Sequence, residues 1–432
     1  MHATPPPSRA SANRSAVKRL READPVLVDV QRALDVVPGM TPDTILTSGA
    51  QLDWPQYTGG QARAIAYAAI FEGLAADMPD AAAKLRAGHI KVRACHDHSC
   101  VGSVAGVYTA SMPVLVVENA ANGNRGFCNF YEGDSRRRLN YGSYDADVHR
   151  SLCFVRDVIA PTLGAAIRRG GGLPLKPIMK RALHMGDELH SRNAAATLLF
   201  ARAVTPMLLE LALDGAATQV RQVLQALAGG DYFFLRVGMA AAKAIADSAH
   251  GIEGASIVTA MAWNCREFAI RVSGLGDTWF RGSLPTVQAR FFEGFSMADL
   301  EWIGGESVIL ETVGFGAFAQ AAAFPLQSYQ GGSAEAMVQM NLAMYRISAD
   351  EHPDYQIPYL AFRGTPIGID IARVVETSVV PLCDVGLAGR SGGQIGAGVL
   401  TPPLDCFVDA WKAFGQRYPD SNDGRPLNVQ SE

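Results

Sequence analysis

The spacing of apolar and polar positions changes character twice along the chain. In the first stretch, 61–75 has the 3.6-residue period of an amphipathic helix, and 80–87 is a short helix stopped by Gly88. Residues 90–94 are extended, and 112–118 form a β-branched run that reads as a buried strand, followed by a polar Gly-Asn turn over 119–124. Segments 127–131 and 138–141 are further strand candidates. Upstream, Asp24-Pro25 is a helix start and Pro38-Gly39 a stop, which predicts a helix over 24–36. From Ala146 to Ala228 nearly every segment is helical, including 175–190 and 193–213, with breaks at Gly170-Gly171-Gly172, Pro174 and Pro177.

Beyond Asp231 the pattern predicts a helix through 239–248, strands at 256–261 and 268–272, helices at 316–323 and 334–347, strand pieces at 377–381 and 394–400, and a closing helix at 406–414. Strands and helices do not alternate as a doubly wound sheet requires. The expected fold class is α+β, multi-domain, with mixed sheets and a helical subdomain in the middle of the chain. The expected division is a disordered tail (1–20), an α+β N-terminal domain (21–143), a helical subdomain (144–230), an α+β C-terminal domain (231–420) and a second tail (421–432).

Composition narrows the function classes. A net charge of −4 supplies no basic footprint for nucleic acid. The uncharged run 313–334 carries Gly, Gln, Ser and Pro rather than the roughly 20 mostly apolar residues of a membrane span. Seven widely spaced cysteines are not a disulfide framework, and the first twenty residues lack the apolar centre of a signal peptide, so a cytoplasmic protein is expected. Charged residues make up only 19% of the chain, against about 25% in typical domains. That predicts surface covered by other subunits, at least a homodimer.

The densest chemistry lies in Cys95-His96-Asp97-His98-Ser99-Cys100-Val101-Gly102, between two strand candidates. In an extended segment His96 and His98 share one face and, with Cys100, make a candidate set of metal ligands. The alternatives are neutral imidazoles bonded to backbone and cysteines acting as small core residues. A second constellation is His184-Met185-Gly186-Asp187-Glu188-Leu189-His190, where a continuing helix would place His184, Asp187 and Glu188 on one face. A carboxylate beside an imidazole suits proton transfer near neutral pH. A third runs from Asn264 through Glu267 to Arg271, with Arg271 inside an apolar strand pattern and therefore in need of an anionic partner, from the protein or a substrate. Arg363 has the same character, with Asp370 near in sequence as its partner.

These stretches, with Ser111-Met112-Pro113, Glu118-Asn119, Gly123-Asn124-Arg125, Ala240-Ala241-Ala242-Lys243 and Phe362-Arg363-Gly364-Thr365-Pro366, resemble the oxamate carbamoyltransferase subunit family of the AllG (YlbE-like) type, over about residues 20–410. The resemblance implies a transferase of allantoin degradation and purine catabolism, part of a multi-subunit complex with an acyl-CoA-synthetase-like partner. The implied reaction converts oxalurate and phosphate to oxamate and carbamoyl phosphate. Ser103-Val104 and Asn264-Cys265-Arg266 depart from the family pattern of Pro-Met and Asn-Gly-Thr. On this reading proton transfer falls to His96 or His184, with Glu188 positioning the imidazole. The small carboxylate substrate and phosphate are bound by Arg125, Arg271 or Arg363, with Asn119, Asn124, Asn264 and Glu267 in polar support. No cofactor is assigned. The alternatives are a metal-dependent amide hydrolase built on His96 and His98, with a divalent metal, and a non-catalytic assembly subunit.

Overall fold

The structure is a computed structural model and describes residues 8–133 and 137–419. Its first element corrects the expected N-terminal tail: Arg9–Glu22 is a helix, capped by Ser8, that buries Ala12, Ala16, Val17 and Leu20. That stripe has helical spacing, but the surrounding Arg and Ser residues hide it in a reading based on composition. Residues 1–7 and the tail at 421–432 lie outside the described residues.

The expected helix over 24–36 is instead the strand Pro25–Arg32 followed by a single helical turn, Ala33–Val36. Pro25, Leu27 and Asp29 are buried while Val26 and Val28 are half-exposed, the two-residue alternation of a strand with one face covered. This strand is part of a five-stranded sheet in the order Cys100–Val101, Arg125–Asn129, Pro113–Asn119, Pro25–Arg32, Leu173–Pro174, antiparallel except for the first pair. The helix Phe233–Ser248 lies on the middle strands and Ala160–Arg169 on Pro25–Arg32. The largest apolar cluster joins this sheet to helices from the middle of the chain, through Leu163, Ile167, Phe200, Val204 and Leu208.

Smaller sheets complete an α+β fold. Thr44–Thr47 pairs in parallel with Lys91–Ala94, which ends at the His96 loop. Val258–Trp263, Phe268–Val272 and Phe280–Gly282 form a meander, and Cys383–Ala388, Gln394–Thr401 and Thr286–Phe291 form another three-stranded sheet. A ribbon of Ser348–Ile357 and Arg363–Ile369 has no counterpart in the sequence reading. Segment 138–141 is a 3₁₀ turn, not a strand, and 371–377 is helical, so the strand expected at 377–381 begins only at Cys383. Among the described residues one helical stretch, Ala194–Ala228, is long and apolar enough to cross a membrane. It kinks at Gly215, and its two halves pack on each other.

Two packing details place the site. A Cβ on Gly126 would stand 2.5 Å from Ala240 O and Ala244 N, so this glycine lets the strand lie directly against the backbone of helix Phe233–Ser248. That helix buries all but two of its residues, yet carries Arg236 and Lys243. Seven residues apart, the two side chains share a helix face with Cα atoms about 10 Å apart along the axis.

Candidate functional site

Lys91–Ala94 delivers its chain into a 3₁₀ turn, Cys95–His98, closed by Ser99 in the left-handed region at φ 56°. The turn breaks the extended alternation, and the two histidines separate. His98 Nδ1 lies 2.6 Å from Pro38 O, while His96 points inward, with Nδ1 3.1 Å from Lys243 Nζ. Cys100 is buried among Tyr108, Val114 and Phe127. The metal set His96, His98 and Cys100 is therefore not assembled. Among the described residues no group of three or more His, Cys, Asp or Glu side chains is placed to hold a metal.

His96, Lys243 and Arg271 instead line one open cavity of about 550 Å³, with Asp97, Asp247, His250, Thr259, Asp277 and Trp279. Lys243 is 3% exposed and held from two sides, donating to Asp247 Oδ1 at 2.7 Å and to His96 Nδ1 at 3.1 Å. With Nδ1 accepting, the neutral imidazole carries its proton on Nε2, which faces the Glu306 carboxylate at 3.9 Å and has no hydrogen-bond partner among the described residues. Burial, then the Lys243 and Arg271 cations, hold the His96 pKa well below the ordinary imidazole value, so the ring is neutral at pH 7. Burial pushes Glu306 up to about 8, although its oxygens accept from Gly49 N at 2.9 Å and Gly102 N at 2.7 Å. His96, Lys243 and Asp247 are thus joined by hydrogen bonds, with the Glu306 carboxyl beside the imidazole.

Arg271 enters from the strand Phe268–Val272. It pairs with Asp97, donates through Nε to Asp277 O at 3.1 Å, and lies 4.3 Å over the Trp279 ring. A guanidinium fixed in this way through Nε and Nη2 keeps Nη1 as a donor that could bind an oxyanion. The Trp279 ring also meets His96 edge-on at 5.4 Å, and its buried Nε1 has no hydrogen-bond partner among the described residues.

The other expected residues are placed elsewhere. The helix expected over 175–190 stops at His184, where Gly186 at φ 96° turns the chain, so His184 is exposed against Phe362 and Glu188 is not positioned to orient it. Asn119 accepts from Asp24 N at 2.9 Å, and Asn124 donates to Ala244 O at 2.7 Å; both hold a turn. Arg125 pairs with Glu118 across the sheet on the surface. Asn264 accepts from Arg266 N and Glu267 N, closing an Asx turn, while Glu267 pairs with Arg281. Arg363 pairs with Glu351, not Asp370, and lies 3.6 Å over Tyr345. Of the expected set, His96 and Arg271 are the two that line this cavity.

Glu188 belongs to a second buried constellation, with His190, Glu311 and Asp384. His190 Nδ1 lies 2.7 Å from Glu311 Oε1, which also accepts from Asp384 N at 2.9 Å. Burial lowers the His190 pKa, but the Glu311 and Glu188 carboxylates outweigh it, and the net shift is upward. Burial and mutual repulsion raise Glu188 well above its ordinary range, and burial followed by Glu311 raises Asp384 to about 8. Leu189 sits at φ 74°, a conformation costly for a side chain with Cβ, and turns the backbone so that His190 faces Glu311.

Lys243, Asp247, His190, Glu306, Glu311 and Asp384 were not singled out in the sequence for a role. Lys243 carried a usable signal: it and Arg236 are the only charges in the run from Phe233 to Ala246, and such a charge in a buried helix needs a partner.

Comparison with known proteins shows the family. Residues 90–307, which hold the whole His96–Lys243–Arg271 cavity and Glu306, match the family described as oxamate carbamoyltransferase subunit AllG. The chain is 38% identical to the Escherichia coli K12 protein of that name over 95% of its own length and 98% of the relative's. It is 39% identical to the uncharacterized E. coli K12 protein YahG, over 95% of this chain and 86% of that one. A crystal structure of a conserved protein of unknown function from Enterococcus faecalis V583 superposes with a TM-score of 0.92 at 37% identity, covering 95% of this chain and 98% of that one. The chain belongs to the AllG family of oxamate carbamoyltransferase subunits.

Proposed function

We propose that this chain carries the carbamoyl-transfer step of its complex, with oxalurate and phosphate as substrates and oxamate and carbamoyl phosphate as products. The observation that carries the reading is Lys243, a buried cation held between His96 and Asp247 beside the fixed guanidinium of Arg271. A phosphate oxygen attacks the carbamoyl carbon, the bond from that carbon to the amide nitrogen breaks, and hydrogen phosphate's proton ends on the oxamate nitrogen. Oxyanion charge is conserved: one carboxylate and one phosphate dianion enter, and one carboxylate and one carbamoyl phosphate dianion leave.

Each demand of that step has a group to meet it. The Nη1 edge of Arg271 binds the substrate carboxylate. Lys243 delivers the proton to the leaving nitrogen and recovers it from the phosphate side, and it stabilises charge on the tetrahedral intermediate. His96 and Glu306 act as positioning residues, orienting Lys243 and sharing its proton. Seven cysteines without disulfides fit the reducing cytoplasm.

The test is reconstitution of this chain with its acyl-CoA-synthetase-like partner subunits, followed by assay of phosphate-dependent carbamoyl phosphate release from oxalurate. Release supports the reading, and no turnover with oxalurate or other ureido acids overturns it. A second reading, an assembly subunit without chemistry, draws on the exposed Leu198, Leu209 and Leu213 along one helical segment. It predicts that substitution of Lys243 and Arg271 leaves turnover of the complex intact.

A further inference from the structure

A second cavity of about 170 Å³ opens on another side of the same core, walled by Arg236, Arg138, His190, Ser307, Tyr232 and Tyr329 among others. Arg236 is its most informative residue. It is 5% exposed, its Nη1 donates to the neutral Asn129 amide at 3.2 Å, and its Nε has no hydrogen-bond partner among the described residues. Among the described residues no carboxylate pairs with it. A buried guanidinium in that condition is costly unless an anion completes it.

His190 lines the same cavity. His190 uses Nδ1 on Glu311, so Nε2 is the nitrogen left for a ligand, and the Glu311 and Glu188 carboxylates behind the ring favour its protonated form. Ser103, Ser191 and Ser307 add hydroxyls. Val104, also on the wall, is held at φ 59°, an outlier for a β-branched residue of the kind that clusters at ligand sites. At about 30 Å³ per water, the volume equals five or six waters, room for one compact anion and too little for a nucleotide.

We propose that this cavity is a binding site for a compact oxyanion, a small carboxylate or inorganic phosphate, clamped between Arg236 and His190. The proposal does not rest on the carbamoyl-transfer reading. Arg236 stands two helical turns from Lys243, so the site is separate from the Lys243–Arg271 cavity.

Calorimetric titration of the full chain with oxalate and, separately, inorganic phosphate tests it, on wild type, Arg236→Met, Arg236→Lys and Arg271→Met. The expected result is a one-to-one component that Arg236→Met weakens at least tenfold, that Arg236→Lys weakens less, and that Arg271→Met leaves in place. Binding of oxalate alone identifies a carboxylate site, of phosphate alone a phosphate site, and of both a shared oxyanion site. Wild-type affinity of Arg236→Met for both probes, loss of all binding in Arg271→Met, or no binding of either probe to wild type at 10 mM overturns the proposal. If Arg236→Met loses its cooperative melt, a selenate-soaked crystal of wild type decides: anomalous density between Arg236 and His190 supports the site, and its absence there refutes it.

Discussion

Replacing Lys243 by Met separates chemistry from folding, because the two consequences have different sizes. Met preserves the length and apolar stem of a side chain that is 3% exposed, and it removes an ammonium that burial penalises. The partner left behind, Asp247, keeps about a quarter of its side chain exposed and can be solvated, while His96 loses one of the cations that hold its pKa down. Removing one partner of a fully buried ion pair costs about 3–5 kcal/mol, but Asp247 is partly solvated, so the stability loss should stay within about 2 kcal/mol. Catalysis is expected to respond far more. A positioned general acid contributes roughly 10²- to 10⁴-fold, or about 2.7–5.4 kcal/mol at 1.36 kcal/mol per decade. The assay is carbamoyl phosphate release by the assembled complex, with a thermal melt of the isolated chain alongside. Lys243→Met should melt like wild type and lose at least 100-fold in kcat. Lys243→Arg should recover binding of the anion but not kcat, because a guanidinium does not give up its proton. A Lys243→Met enzyme within tenfold of wild type, with its melt unchanged, would refute the assignment.

Three further outcomes follow from the geometry. Gly126→Ala pushes a methyl group into the backbone of helix Phe233–Ser248, so a loss of about 1–3 kcal/mol in denaturant unfolding is expected, together with reduced turnover from the displaced Lys243; an unchanged unfolding midpoint would contradict the contact. Glu306 is raised in the folded state from an unfolded value near 4.5 to about 8, so the native state binds more protons across that interval. Its contribution to stability is present below pH 4.5 and lost as pH rises through 8, and Glu306→Gln should flatten the decline in unfolding free energy measured between pH 5 and 8. The isolated chain should scatter light as a species of about twice 46.0 kDa, and Leu198→Glu with Leu213→Glu should return it to the monomer mass if those exposed leucines form the contact; a wild-type monomer would end the homodimer expectation.

Legibility from the sequence followed the range of the interactions. The strands at Pro113–Asn119 and Phe268–Val272 and the helix Ala334–Ile347 lie close to where local period puts them, because their burial follows from neighbouring residues alone. The strand Pro25–Arg32 is hidden in the sequence because Asp24-Pro25 imitates a helix start, although the alternation of buried and half-exposed residues is that of a strand. The helix thought to run through Glu188 ends at His184 because Gly186 and Leu189 adopt positive φ, a tertiary choice that places His190 against Glu311. His96 and Arg271 could be picked out locally, as a histidine in a polar turn and a charge in an apolar strand. Their shared cavity depends on contacts across 147 residues, from His96 to Lys243, and 174 residues, from Asp97 to Arg271, which local spacing does not reveal.

The central claim is that substrate binds between Lys243 and Arg271, and a crystal structure of the chain with oxamate tests it most directly. The account predicts density for oxamate in the His96–Trp279 cavity, its carboxylate on Arg271 Nη1 and its amide nitrogen within hydrogen-bonding distance of Lys243 Nζ. Oxamate found only in the Arg236–His190 cavity, or nowhere on the chain at saturating concentration, would contradict it.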